Sequence, residues 1–193
     1  MIAVDTEIIA KLVAESRGRQ SAFGCHGFEH TERVIKLCRE LGTALDADME
    51  VLIPAAILHD IARDKPSHAE KGAVEAGRIL KDVGYDGQKT RSICDAIRVH
   101  SFSRSEKAAS LESMILSDAD KLDAMGAVGI YRAAMYSSES GRPLDEFVAH
   151  FHEKLLTLKQ LIYTDEARTM AEERHAYMLG FLEELRRELA AEG

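Results

Sequence analysis

The stretch AAILHDIARDK, residues 55–65, sets a histidine and an aspartate side by side at the end of an apolar run. Ala55, Ala56, Ile57 and Leu58 lead into His59 and Asp60, and Arg63, Asp64 and Lys65 follow at once. Burying a charged or strongly polar side chain without a partner costs several kcal/mol. His59 and Asp60 therefore need a partner, and a divalent cation is the first candidate. Seven other histidines could contribute: His26, His30, His68, His100, His150, His152 and His175. The first four lie in the N-terminal part near expected helix ends, whereas the last three sit among Glu and Lys as solvent-facing or core-edge residues. A second acidic group, Asp118, Asp120 and Asp123, lies within DADKLDAMG among small and apolar residues.

The elements that must carry these residues read as helices. Three prolines, little β-branched alternation and no hairpin signal between strand-like runs point to an all-α protein. Residues 4–17 form a first helix, and SAFGCHG a loop before a second from about His30 to Leu41, ended by Gly42. Asp46 is expected to cap a third helix, bent or tightened at Pro54. Ser67 and Glu70 make an S-x-x-E capping box for a fourth, which stops at Gly84. Asp86 caps a fifth running to His100, and residues 101–110 are a polar loop. From Leu111 an apolar pattern runs into SDADKLDAMGAVGIYRAAMY, where Gly126 and Gly129 suggest close helix packing rather than a break. SSESGR, residues 137–142, is linker-like, Pro143 suits the first turn of a helix to about Leu161, and a last helix spans about Asp165 to Ala190.

Composition bounds the function. At 193 residues the chain can bury a core within one domain. A formal net charge of −8 argues against duplex nucleic acid as a partner, because that binding relies on Lys and Arg neutralising phosphates. A small phosphorylated substrate held by a few local cations stays open. Cys25, Cys38 and Cys94 are odd in number without CxxC spacing, which fits reduced thiols in a cytoplasm, and Cys25 and Cys94 are expected to pack. No apolar run approaches a membrane span, and the N-terminus does not read as a signal peptide, so a soluble, cytoplasmic protein is expected.

Taken in order, His30, His59-Asp60 and Asp120 give the pattern H…HD…D, which resembles the HD-domain metal-dependent phosphohydrolases. HGFEHTERV resembles that superfamily's first-histidine helix, and AILHDIAR its central motif. IRVHSFS, LSDADKLDAMGAVGIYR and RPLDEFVAHFHEKLLTL resemble one bacterial subgroup of small HD hydrolases, so the likeness covers most of the chain. It implies a single-domain HD-type helical bundle over residues 1–193. The metal-site core would span about 26–125, with C-terminal helices, about 143–190, packing on it.

Two neutral imidazoles and two carboxylates from His30, His59, Asp60 and Asp120 would balance a divalent ion. Mixed N/O ligation suits Mn, Fe, Co, Ni or Zn better than Mg or Ca. Such an ion acidifies a water and polarises a phosphoryl group. Asp64, one turn past Asp60 if the helix continues, could orient the water or donate a proton, or could pair with Arg63 or Lys65. Lys121 could meet a phosphate or hold Asp118. Arg33 could clamp a phosphate or bridge to a ligand carboxylate. His26 could line the pocket. His100 could bind substrate or, with His68, hold a second metal, as in the binuclear HD proteins. The resemblance implies hydrolysis of a small phosphate ester or anhydride, with a nucleotide the expected substrate and a pyrophosphohydrolase or nucleotidase the expected activity. A di-iron oxygenase on the same fold and a non-catalytic HD binding module are the alternatives, and the long C-terminal helix could support a homodimer.

Overall fold

The structure, a computed structural model, describes residues 6–21, 24, 27–101 and 107–191. It is all-α, as expected, and no strand occurs among the described residues. The helices are α1 (Thr6–Arg19), α2 (Phe28–Ala44), α3 (Met49–Leu58), α4 (His68–Asp82), α5 (Gly87–Val99), α6 (Leu111–Asp123), α7 (Gly126–Glu139), α8 (Leu144–Glu153) and α9 (Asp165–Ala191), with a 3-10 segment at Leu155–Leu161. The chain falls into two compact units, Met1–Asp120 and Lys121–Gly193.

The first unit is built around α3. Every residue from Val51 to Leu58 is buried, so this helix is apolar all round, as suits one enclosed by other helices. It packs against α1, α2 and α5, while α4 packs on α5. Gly42 does not end α2 but lies inside it. A Cβ there would stand 2.5 Å from Leu52 Cδ2 and 2.8 Å from Met49 Sδ. The missing side chain is what lets α2 approach α3 so closely.

Pro54 sits inside α3 without ending it. Having no N–H, it leaves the carbonyl four residues earlier, that of Glu50, without its helical donor. Tyr85 supplies the replacement, its hydroxyl donating to Glu50 O at 2.6 Å. At the opposite end of the helix, the buried Ser16 hydroxyl on α1 donates to Ile57 O at 2.7 Å. Both ends of the helix that delivers His59 are thus tied to their neighbours.

Several helix starts differ from expectation in mechanism. Asp48, not Asp46, caps α3 by accepting from Glu50 N at 2.9 Å. Asp46 occupies a left-handed turn instead (φ 53°), a conformation that Asp tolerates. Ser67 does precede α4, but it too is left-handed (φ 56°) and its side chain makes no cap. Asp86 caps α5 as expected, accepting from Gln88 N and Lys89 N.

In the second unit, α7 packs on α9 and α8, and the 3-10 segment packs on α8 and α9. The DADKLDAMGAVG stretch breaks between α6 and α7. Gly126 takes φ +69°, and a Cβ on Gly129 would lie 2.3 Å from Ala124 O, inside the backbone of the turn. The two glycines make a corner, and a buried ion pair from Arg132 to Asp123 (2.8 Å) fastens it. Residues 137–139 continue α7 rather than forming a linker. Pro143 is the N-cap of α8 rather than part of its first turn, and α8 stops at Glu153.

The Pro54–Tyr85 exchange makes a test of how α3 is held. Tyr85→Phe strands a carbonyl and should cost about 1–3 kcal/mol. In a Pro54→Ala background the restored N–H can reach Glu50 O, so the same substitution should cost clearly less. A double-mutant cycle by urea denaturation measures that coupling, and equal costs in both backgrounds would show that Tyr85 does not compensate for the proline.

Candidate metal centre

Helix ends gather the polar side chains of the first unit. His30 lies in the first turn of α2, His59 caps the C-terminal end of α3, and Asp60 follows it. His68 opens α4, His100 caps the C-terminal end of α5, and Asp120 lies in α6. His30, His59, Asp60 and His100 are all buried. The four rings stand edge to face in a row, with centroids 5.2 Å apart for His30–His59, 5.1 Å for His59–His100 and 5.6 Å for His68–His100.

Backbone carbonyls set two of these rings. His59 Nδ1 is 2.8 Å from Ala56 O, and His100 Nδ1 is 2.7 Å from Ile97 O. A carbonyl only accepts, so each Nδ1 carries the proton, and each ring, when neutral, turns an Nε2 lone pair inward. The Ser117 hydroxyl donates to His100 O at 3.1 Å and ties α6 to the same corner.

The inward atoms converge on Asp60. His59 Nε2 is 3.2 Å from His30 Nε2, which is 3.3 Å from Asp120 Oδ1. Asp60 Oδ2 lies 3.7 Å from His30 Nε2 and 3.8 Å from His59 Nε2. The other oxygen of the same carboxylate, Oδ1, lies 3.7 Å from His100 Nε2 and 4.0 Å from His68 Nε2. Two groups able to hold an ion therefore share one aspartate: His30 with His59 and Asp60, and Asp60 with His68 and His100.

The donor set suits a divalent metal. Donors about 2.0–2.2 Å from an ion sit roughly 3–3.6 Å from one another, and the His30 side of the cluster is already close to that spacing. Asp60 Oδ1 is buried with no hydrogen-bond partner among the described residues. A buried carboxylate oxygen without a hydrogen bond is costly, and nearby positive charge is what offsets that cost. His59 and His100 also end their helices, where the helix dipole favours positive charge.

Comparison with known proteins decides the family. Residues 27–125 match the HD domain. A Bacillus subtilis (strain 168) protein, YpgQ, is 36% identical over 173 residues, covering 85% of this chain and 84% of its own. The chain belongs to the HD-domain family.

Solved HD-domain relatives share the whole architecture. The structure of YpgQ in complex with ADP matches with a TM-score of 0.77 at 32% identity, covering 94% of this chain and 96% of that one. An HD-superfamily hydrolase from Bacillus thuringiensis matches with a TM-score of 0.77 at 30% identity, covering 96% of each chain. HD domains bind divalent metals, and this HD protein is a metal-dependent hydrolase of that superfamily. No helix among the described residues is long and apolar enough to cross a membrane.

The remaining expected site residues are placed as follows. Arg33 lies one turn along α2 from His30 and is half-buried. Asp64 was expected one helical turn past Asp60, but α3 ends at Leu58 and residues 59–64 are turns, so Asp64 is exposed. Lys65 pairs with Glu75 on α4. Lys121 is buried, with its ammonium 5.3 Å from the centroid of the Tyr163 ring. His26 and Cys25 lie outside the described residues. Arg63, expected as an ion-pair partner for Asp64, turns to the histidine cluster instead. It places Nη1 3.1 Å from His68 Nε2 and 3.7 Å from Asp60 Oδ1.

Burial and charge pull the cluster's titrations apart. Desolvation drives the His59 pKa down to about 4 from 6.5, against the pull of Asp60. Burial also lowers His68, helped by the Arg63 charge. For His100, burial alone would act downward, but the facing Asp60 and Asp120 carboxylates raise it. Burial opposes ionisation of Asp60 and Asp120, yet the surrounding imidazoles hold both carboxyls below their ordinary range, aided at Asp60 by Arg63.

A lowered histidine pKa means the unfolded chain binds more protons, so stability rises with pH between the folded and unfolded values and is lost as pH drops. In chelator, His59 should therefore withdraw stability as pH drops from about 6.5 toward about 4. His68 acts in the same sense and His100 in the opposite one. Urea midpoints at pH 7 and pH 5 should fall less for His59→Asn than for the wild type, and an equal fall would contradict a neutral, buried His59.

Proposed function

We propose that His30, His59, Asp60 and Asp120 hold one divalent transition metal, and that this HD-domain enzyme hydrolyses a phosphate ester or anhydride of a nucleotide. The observation that carries the reading is the convergence of four donor atoms on one buried point: His30 Nε2 lies 3.2 Å from His59 Nε2, 3.3 Å from Asp120 Oδ1 and 3.7 Å from Asp60 Oδ2. Mixed nitrogen and oxygen donors favour Mn, Fe, Co, Ni or Zn over Mg. When bound, such an ion supplies Lewis acidity and lowers the pKa of a water.

The chain's own groups do the rest. The carbonyls of Ala56 and Ile97 hold His59 and His100 in the tautomer that keeps Nε2 unprotonated and aimed at the site. Asp120, part-buried and ionised, sets Oδ1 3.3 Å from His30 Nε2, a spacing that two ligands of one ion can share. The surrounding apolar residues of α3 exclude water from the far side of the pair and so strengthen every charge interaction there. Arg33 and His100 are the candidate contacts for substrate phosphate, and Asp64 and Lys121 the candidates for proton transfer and charge neutralisation. The ADP held by YpgQ supports a nucleotide substrate here, and a pyrophosphohydrolase or a nucleotidase is the specific activity that fits. A cytoplasmic setting agrees with free thiols at Cys38 and Cys94.

His30→Ala and Asp120→Ala should each lose bound metal and hydrolysis together. The assay is a panel of nucleoside mono-, di- and triphosphates with several divalent ions, alongside elemental analysis. Release of pyrophosphate identifies a pyrophosphohydrolase, and release of orthophosphate from a monophosphate identifies a nucleotidase. Full metal-dependent activity in either variant would sink the ligand assignment.

A further inference from the structure

The second donor group, Asp60 Oδ1 with His68 and His100, resembles the first in composition but differs in what stands beside it. Its spacings are wider, 3.7 Å from Oδ1 to His100 Nε2 and 4.0 Å to His68 Nε2. On the His30 side, His59 Nε2 and Asp120 Oδ1 approach His30 Nε2 to 3.2 and 3.3 Å. The Arg63 guanidinium is at the second group already. Its Nη1 is 3.1 Å from His68 Nε2 and 3.7 Å from Asp60 Oδ1. A guanidinium only donates, so the His68 Nε2 it meets carries the lone pair that a metal would need.

We infer that Arg63 takes the place of a second cation and keeps this metal centre mononuclear. The inference rests on the reading of His30, His59, Asp60 and Asp120 as the first ion's ligands.

Charge balance points the same way. One divalent ion neutralises the Asp60 and Asp120 carboxylates, and with Arg63 present the cluster then carries one positive charge. A second divalent ion would raise that to three, in a buried site where like charges are poorly screened. It would also have to break the Arg63–His68 hydrogen bond before it could use His68. Arg63 satisfies the second group by a route open to a protein side chain: one fixed charge, always protonated, delivered from the turn that follows Asp60.

The site has a position for Arg63 because α3 ends at Leu58. Were the helix to continue, residue 63 would stand on its flank, one turn beyond Asp60. The turns over residues 59–64 instead fold the side chain back across the carboxylate, with about a third of its surface exposed. Such a position tolerates substitution better than the buried ligands do, which makes Arg63 open to a direct experiment.

Manganese(II) titration followed by elemental analysis and electron paramagnetic resonance tests this on the full chain. The wild type should take up one equivalent of Mn²⁺ with an uncoupled six-line signal. Arg63→Ala should gain a second equivalent, at least tenfold tighter than any second ion on the wild type, with the multiline signal of two spin-coupled ions. Arg63→Lys, which keeps the charge, should stay at one. Adding His68→Ala to Arg63→Ala should return the protein to one uncoupled ion. A coupled pair in the wild type would overturn the inference without any variant being needed, and so would a folded Arg63→Ala that stays at one equivalent in excess Mn²⁺. Wild type that binds no ion at all would instead overturn the metal-site reading itself, and the two failures are separable by stoichiometry alone.

Discussion

One carboxylate, that of Asp60, is held where water does not reach it and where no donor meets one of its oxygens. An ionised group in that position is unfavourable by itself. Everything around it offsets the cost. Imidazoles from α2, α3, α4 and α5 turn toward it, and a guanidinium lies beside it. The carboxylate can sit so deep because α3 is buried along its whole length from Val51 and releases His59 and Asp60 only at its inner end. The proline that would ordinarily weaken such a helix is tolerated because Tyr85 reaches the carbonyl that Pro54 abandons. The chemistry and the core are one construction, and loosening α3 would move the ligands with it.

Helix polarity gives the cluster its two electrical faces. His59 and His100 lie at C-terminal ends, where the helix dipole favours a cation. His30 and His68 lie in the first turns of α2 and α4, where the helix dipole favours an anion. A hydrolase that must hold a metal and a phosphate a few ångströms apart needs both. Here the backbone supplies both before any charged side chain is counted, which suits a protein whose formal net charge is −8.

Much of this was legible in the residue types. The all-α class followed from few prolines and the lack of strand alternation, and the structure agrees. The resemblance of His30, His59-Asp60 and Asp120 to the H…HD…D pattern of HD-domain proteins nominated four residues, and the structure brings their polar atoms together. Periodicity could not foresee features that depend on three-dimensional approach. Gly42 read as a helix stop, yet it is the site of contact with Leu52 and Met49. Gly126 and Gly129 read as packing residues within one helix and instead form a corner. Asp46 and Asp48 are chemically equivalent caps on paper, and only the left-handed turn at Asp46 decides between them. His68 seemed too near Asp60 in sequence to return to it. Its return depends on the chain turning at once after Leu58, and the same turn puts Arg63 at the cluster and Asp64 in solvent.

That turn also bears on what the site can do. A carboxylate whose two oxygens face two histidine groups is a natural bridge between metal ions, and paired ions on such a bridge can share electrons. A guanidinium can balance charge in the same place, but it has no accessible redox state and no empty orbital for a substrate oxygen. With Arg63 there, the second half of the cluster can attract and orient a phosphate but cannot take part in oxidation. The geometry around Asp60 would serve either chemistry, and the side chain three residues later tips this one toward hydrolysis.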